Sequence, residues 1–216
     1  MDKRKQAFQK RKAILEARDA RLKQLVNEND LEGFKDFLKE NYGTLCVKHF
    51  DYLFKNGSKE LISIGIACAR IDLYNYPERF YPKLFQYCDR NVMARYLNDV
   101  YKDENKYLPQ CEKILIKRGE LNLFSFYIAT NELSKEAFRF LLKRGTLDII
   151  ENYLAHTLIS ETHLPIFLTY GKIEDIKWYF LSRPYIKYQL VANALKEVPI
   201  KRQEKIDKLR LRYHLD

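Results

Sequence analysis

Three stretches, Gly119-Glu-Leu-Asn-Leu-Phe-Ser-Phe-Tyr-Ile128, Gly145-Thr-Leu-Asp-Ile-Ile-Glu-Asn-Tyr-Leu154 and Gly171-Lys-Ile-Glu-Asp-Ile-Lys-Trp-Tyr-Phe180, align without gaps at a spacing of 26 residues. In each, an aliphatic residue is followed by apolar residues three, six and seven positions later, as in Leu147, Ile150, Tyr153 and Leu154. That spacing puts them on one side of a helix, so each stretch reads as an amphipathic helix with a core face. A fourth copy runs from Asn29 to Leu38. Weaker matches near Glu60-Leu61 and Asn91–Leu97 divide the intervening chain into units of about 30 residues.

A second apolar segment precedes each copy. Leu108-Pro109 through Gly119, Leu133-Ser134 through Gly145, and Leu164-Pro165 through Gly171 each begin with an N-cap or first-turn residue and end in glycine. These signals predict short helices, each stopped by a left-handed glycine. Two short helices cannot bury their apolar faces alone, so the pairs are expected to stack on their neighbours. The expectation is an all-α fold, an α-solenoid of short helical hairpins over residues 27–200. A basic helix is expected at each end, over 1–26 and 201–216.

The sequence Gly-x-Leu-(Asp/Glu)-Ile-Ile-x-x-Tyr-Leu, preceded by a helix ending before the glycine, resembles the inner turn and second helix of an ankyrin repeat. The resemblance covers residues 108–180 and, locally, 29–38. The Thr-Pro-Leu-His signature is absent, and the 26-residue period is about seven short of the ankyrin unit, a length equal to the projecting hairpin. HEAT-like and other α-hairpin repeats match equally. The resemblance implies stacked helical hairpins that bind a partner.

With 216 residues, 46% apolar and 31% charged, the chain is long enough to bury a core of its own. Its longest apolar run, Leu61 to Ala69, is too short for the roughly 18–20 residues of a membrane span. The net charge of +10 is concentrated at the ends. Residues 1–26 carry nine Lys or Arg against three acids, and 201–216 carry six against three. Any preference for a polyanion therefore belongs to the termini. Residues 1–26 lack the continuous apolar core of a secretory signal and the serines of a transit peptide, which points to an intracellular, cytoplasmic location.

Cys46, Cys68, Cys88 and Cys111 are spaced by about twenty residues, unlike a disulfide framework or paired zinc motif, and read as thiols in a reducing compartment. Cys46 and His49 have CxxH spacing without a second ligand pair, so no metal is expected. The one dense cluster of catalytic residue types is His156, Ser160, Glu161 and His163, in an expected loop with no glycine-rich oxyanion or phosphate loop beside it. No catalytic residue, cofactor or small-molecule substrate is assigned.

Three features are candidates for binding. Phe8, Leu15 and Leu22 recur every seven residues on a helix otherwise covered by Lys3, Arg4, Lys5, Lys10, Arg11, Lys12, Arg18 and Arg21. Such a helix caps the first repeat, docks a partner or neutralises phosphates. Lys117-Arg118 and Lys143-Arg144 occupy the same place in successive repeats, where cations also suit a helix C-terminus. Trp178 lies between core positions 176 and 179, at the edge of its helix, as a candidate anchor. The reading that follows is a non-enzymatic repeat scaffold for a protein partner, docked into a larger assembly by its basic terminal helices. The alternative is a nucleic-acid-associated protein that contacts phosphates through those termini.

Overall fold

A computed structural model describes residues 3–41, 43, 45–68, 78–94, 106–183, 186 and 188–213. Among the described residues the regular structure is helical throughout, with no strand. The chain divides into two compact units, Met1–Asn105 and Lys106–Asp216. No helix among the described residues is long and apolar enough to cross a membrane.

In the first unit, α1 (Lys3–Glu28) packs on both α2 (Leu31–Glu40) and α3 (Val47–Asn56). Helix α4 (Lys59–Cys68) packs on α2, α3 and α5 (Tyr81–Tyr87). Residues 90–94 are also helical. The second unit contains α6 (Leu108–Arg118), α7 (Leu121–Ile128), α8 (Lys135–Arg144) and α9 (Leu147–His156), followed by α10 (Leu164–Tyr170), α11 (Ile173–Leu181), α12 (Tyr188–Leu195) and α13 (Ile200–Tyr213). Here α8 packs between α6 and α10, α10 packs also on α12, and α7 packs on α9. Helices α6, α8, α10 and α12 thus meet in succession, and α1 and α2 likewise pack on the helices two places further along the chain, α3 and α4.

The burial pattern explains that alternation. Leu22, Phe50, Tyr81, Glu112, Phe138, Leu164 and Val191 are all buried. Each lies nine residues before the first residue of the next helix, at 31, 59, 90, 121, 147, 173 and 200. The positions three and four beyond this residue are also covered: Leu25 and Val26, Leu115 and Ile116, Leu141 and Leu142, Phe167 and Leu168 are all buried, and beyond Phe50 Leu53 is buried and Phe54 half-buried. In the second helix the third, sixth and seventh positions beyond the start are covered, as in Phe34, Phe37 and Leu38 or Ile176, Tyr179 and Phe180. The core face expected from the 26-residue period is therefore the buried face, and the weaker match at Glu60-Leu61 shares it through Leu61, Ile62, Gly65 and Ile66. Val92 and Met93 follow it too, while residues 95–97 of the remaining match lie outside the described residues. In α13 the pattern fades to half-buried Gln203, buried Ile206 and exposed Asp207.

Two of the three expected left-handed glycines are not left-handed. Gly119 has φ 65°, but Gly145 and Gly171 are extended at φ −65° and −64°. Each of these two donates its N–H to the carbonyl four residues back, Leu141 or Phe167. An extended N-cap, Thr146 or Lys172, follows at once and starts the next helix. Cys88 adopts the same conformation at the equivalent place, so the glycines mark the turn without being left-handed there.

Candidate partner-binding groove

The face of α9 opposite its core face carries Asp148, Glu151, Asn152 and Ala155, one every three or four residues. On α11 the corresponding edge carries Glu174, Asp175 and Trp178. With Leu121 of α7 and Leu154, these side chains line a groove of about 720 Å³. Trp178 is 48% exposed there. Among the described residues, four carboxylates and no cation line the groove. Asn152 is held in place by the Ser125 hydroxyl of α7, which donates to Oδ1 at 3.0 Å.

Asp175 occupies the repeat position that Leu123 and Ile149 fill with buried aliphatic side chains, and it is only half-buried. Burial pushes its carboxyl pKa up, Lys172 pulls against this, and the nearby charges of Glu174 and Glu151 add to the rise. The groove is thus a place where negative charge is crowded beside an exposed indole. A cation entering it relieves that repulsion and gains the face of Trp178. A signal for it was present in the sequence: the Asp/Glu position of the repeated motif places Asp148 and Glu174 at equivalent sites, and Asn152 and Trp178 are likewise equivalent.

The basic residues are used differently in each region. Lys5, Lys10, Arg11 and Lys12 are exposed on the first half of α1, and the side chains of Lys3 and Arg4 lie outside the described residues. Phe8, Ile14 and Leu15 are exposed beside them, whereas Leu22, Leu25 and Val26 are buried against α2 and α3. The seven-residue stripe is therefore divided between an open half and a docked half. Arg18 is half-buried with its guanidinium 5.9 Å from the centre of the Phe37 ring, and Arg21 pairs with Glu40 at 2.9 Å. In the second unit Arg118 donates through one nitrogen to both carboxylate oxygens of Glu120 at 2.8 Å. Lys117 lies over Phe140 and Lys143 over Tyr170. Arg144 is exposed.

The docked half of α1 is fixed by charge. Asp19 pairs with Lys48 and accepts a 2.6 Å bond from His49 Nε2, whose Nδ1 in turn accepts from the Cys46 N–H at 3.3 Å. These bonds hold the Asp19 carboxyl below its usual range, the Lys48 bond being the largest cause. The CxxH spacing of Cys46 and His49 is thus a helix cap. Among the described residues no group of three His, Cys, Asp or Glu side chains is arranged to hold a metal ion.

Ser160 and His163 come together, with Ser160 Oγ 2.8 Å from His163 Nδ1. The carboxylate nearby is Glu132, also at 2.8 Å and also on Nδ1. Relay chemistry needs the serine and the acid on opposite ring nitrogens, and Nε2 is buried with no hydrogen-bond partner among the described residues. His156 instead bonds the Asn152 carbonyl through Nδ1 at 2.9 Å. No protein-family model, curated protein or solved structure matches the chain.

Proposed function

We propose that the chain is a non-enzymatic α-solenoid scaffold, built of shortened ankyrin-like or HEAT-like hairpins, that binds a protein partner through the groove between α9 and α11. The observation that carries this reading is the groove itself: an exposed tryptophan and apolar wall bordered by four carboxylates suit a basic protein segment. The constant nine-residue offset between core positions and helix starts supports the stacked-hairpin architecture. Free thiols at all four cysteines accord with a reducing, intracellular setting. The basic helices α1 and α13 dock the scaffold into a larger assembly.

The test is differential capture. Wild-type protein and the Trp178→Ala/Glu174→Lys variant are used as baits in parallel, and partners specific to the wild type are expected. Identical sets would remove the groove from the function. A second reading, phosphate binding by a nucleic-acid-associated protein, is favoured by the exposed Lys5, Lys10, Arg11 and Lys12. It requires labelled nucleic acid to bind with an affinity that falls steeply as salt rises, and to lose that affinity when these four cations are replaced by alanine.

A further inference from the structure

The open half of α1 and the groove of the second unit are complementary surfaces. Phe8 and Leu15 are 70% and 55% exposed, seven residues apart on one face of the helix. Arg11 and Lys12 lie between them on that face, and Lys5 lies one turn earlier. The result is a face on which two exposed apolar side chains alternate with cations. The groove has the opposite pattern, with Leu121, Leu154, Ala155 and Trp178 bordered by Asp148, Glu151, Glu174 and Asp175. Among the described residues, neither these four acids nor Lys5, Lys10 and Arg11 take part in an ion pair, and Lys12 meets only Glu16 at 3.8 Å between two exposed side chains. Residues 5–17 span about 20 Å as a helix, enough to cover the roughly 15 Å length of α9.

We propose that the groove receives the open half of α1 from a second copy of the chain. This rests on the reading of the groove as a partner site and names its occupant. Burying Phe8 and Leu15 against Trp178, Leu121 and Leu154 supplies the apolar contact. The charge pattern sets orientation and speeds encounter. The two surfaces are different, so the contact is heterologous: each copy offers both a helix and a groove, and association proceeds head to tail.

The single tryptophan of the chain lies in the groove and serves as the reporter. The full chain is followed by sedimentation velocity and Trp178 emission over a concentration series, beside Phe8→Asp/Leu15→Asp and Glu151→Lys/Glu174→Lys. All four substituted residues are at the surface, so folding is retained. Wild-type protein is expected to associate as concentration rises, with a matching blue shift of the emission. Either variant is expected to weaken association at least about tenfold. A synthetic peptide of residues 1–21 is then titrated onto the Phe8→Asp/Leu15→Asp chain, whose groove is intact, and should shift Trp178 emission saturably.

Wild-type protein that stays monomeric while the peptide leaves Trp178 unmoved overturns the proposal. So does a scrambled peptide of the same composition that binds equally well. Groove-dependent capture of another protein by the Phe8→Asp/Leu15→Asp chain, with no self-association of the wild type, would reject the second copy as occupant yet keep the groove as a partner site. Loss of groove dependence in both experiments would end both readings.

Discussion

Two neighbouring repeats of the second unit bury the same position with opposite chemistry. Phe138 of α8 packs edge-on against His163 at 5.1 Å and lies tilted to Tyr153 at 5.3 Å. Twenty-six residues earlier, Glu112 of α6 occupies the same register, equally buried. Its carboxylate accepts from the Tyr127 hydroxyl at 2.8 Å and from the Ser134 N–H at 3.0 Å, and also from the Ser134 hydroxyl. The difference lies in the backbone donors of the following loop. Before α8 the Ser134 N–H is met by Glu112; before α10 the Ile159 N–H is met by the Tyr179 hydroxyl at 2.8 Å, and no carboxylate is needed. Helical register decides that a position is buried, and the nearest unpaired donor decides whether it must be polar.

The two largest effects expected from breaking this comparison are at Phe138 and Glu112. Glu112→Ala leaves a void and strands the Ser134 N–H, for a loss of about 2–4 kcal/mol in denaturant unfolding. Phe138→Ala, a void without stranded donors, should cost about 3–5 kcal/mol. Glu112→Leu applies the neighbour's solution to the wrong loop and should still lose roughly 1–3 kcal/mol through the unpaired donors. A leucine variant as stable as wild type would show that the carboxylate is dispensable.

The pH dependence follows from the same site. Burial raises the Glu112 pKa above 4.5, against the opposing hydrogen bonds from Ser134 and Tyr127. The folded state therefore binds this proton more tightly than the unfolded state, so the contribution is full at low pH and lost as pH rises through the folded-state value. Relative to Glu112→Gln, wild-type stability should decline as pH rises from about 4.5, other titrations cancelling in the difference. A flat difference curve would remove the buried carboxylate from the pH response.

A smaller effect is expected at the third repeat. Tyr179→Phe keeps the ring in its T-shaped contact with Phe167 and deletes the acceptor for the Ile159 N–H. A cost of about 1–2 kcal/mol in urea unfolding is expected, below that of Glu112→Ala. An unchanged stability would mean that another acceptor satisfies this donor, and that the two repeats are less alike than their registers.

Much of this architecture is legible in the sequence because the period alone aligns Tyr127, Tyr153 and Tyr179, all buried in the second helix of their pairs. What the period misses depends on the neighbours. Glu112 is polar in a list of apolar residues, and only the loop it meets explains its burial. The stripe Phe8-Leu15-Leu22 is continuous in sequence, but α1 has 26 residues and its partners α2 and α3 have 10 each, so they cover only part of its length. The groove shows the same limit: the recurring acid of the motif was visible, whereas its meeting with Trp178 depends on α9 lying beside α11.

The smallest effects concern the Lys-Arg pairs at the ends of α6 and α8. Lys143 lies 4.3 Å from the Tyr170 ring centre and shares that ring with Arg139 at 4.6 Å, whereas Lys117 lies 5.6 Å from the Phe140 ring. Exposed cation–aromatic contacts contribute roughly 0.5–1 kcal/mol, and the shorter one should contribute more. Lys143→Ala should therefore destabilise by up to about 0.5–1 kcal/mol and Lys117→Ala by less. A double-mutant cycle of Lys143→Ala with Tyr170→Leu isolates the pair from the helix-end charge effect, because the latter survives loss of the ring. If the cycle shows no coupling while both lysine variants weaken nucleic-acid binding, the cations face phosphates and the two repeats form one basic ridge. Coupling without any change in binding makes them part of the packing between neighbouring helices, where each cation covers the aromatic ring of the unit that follows.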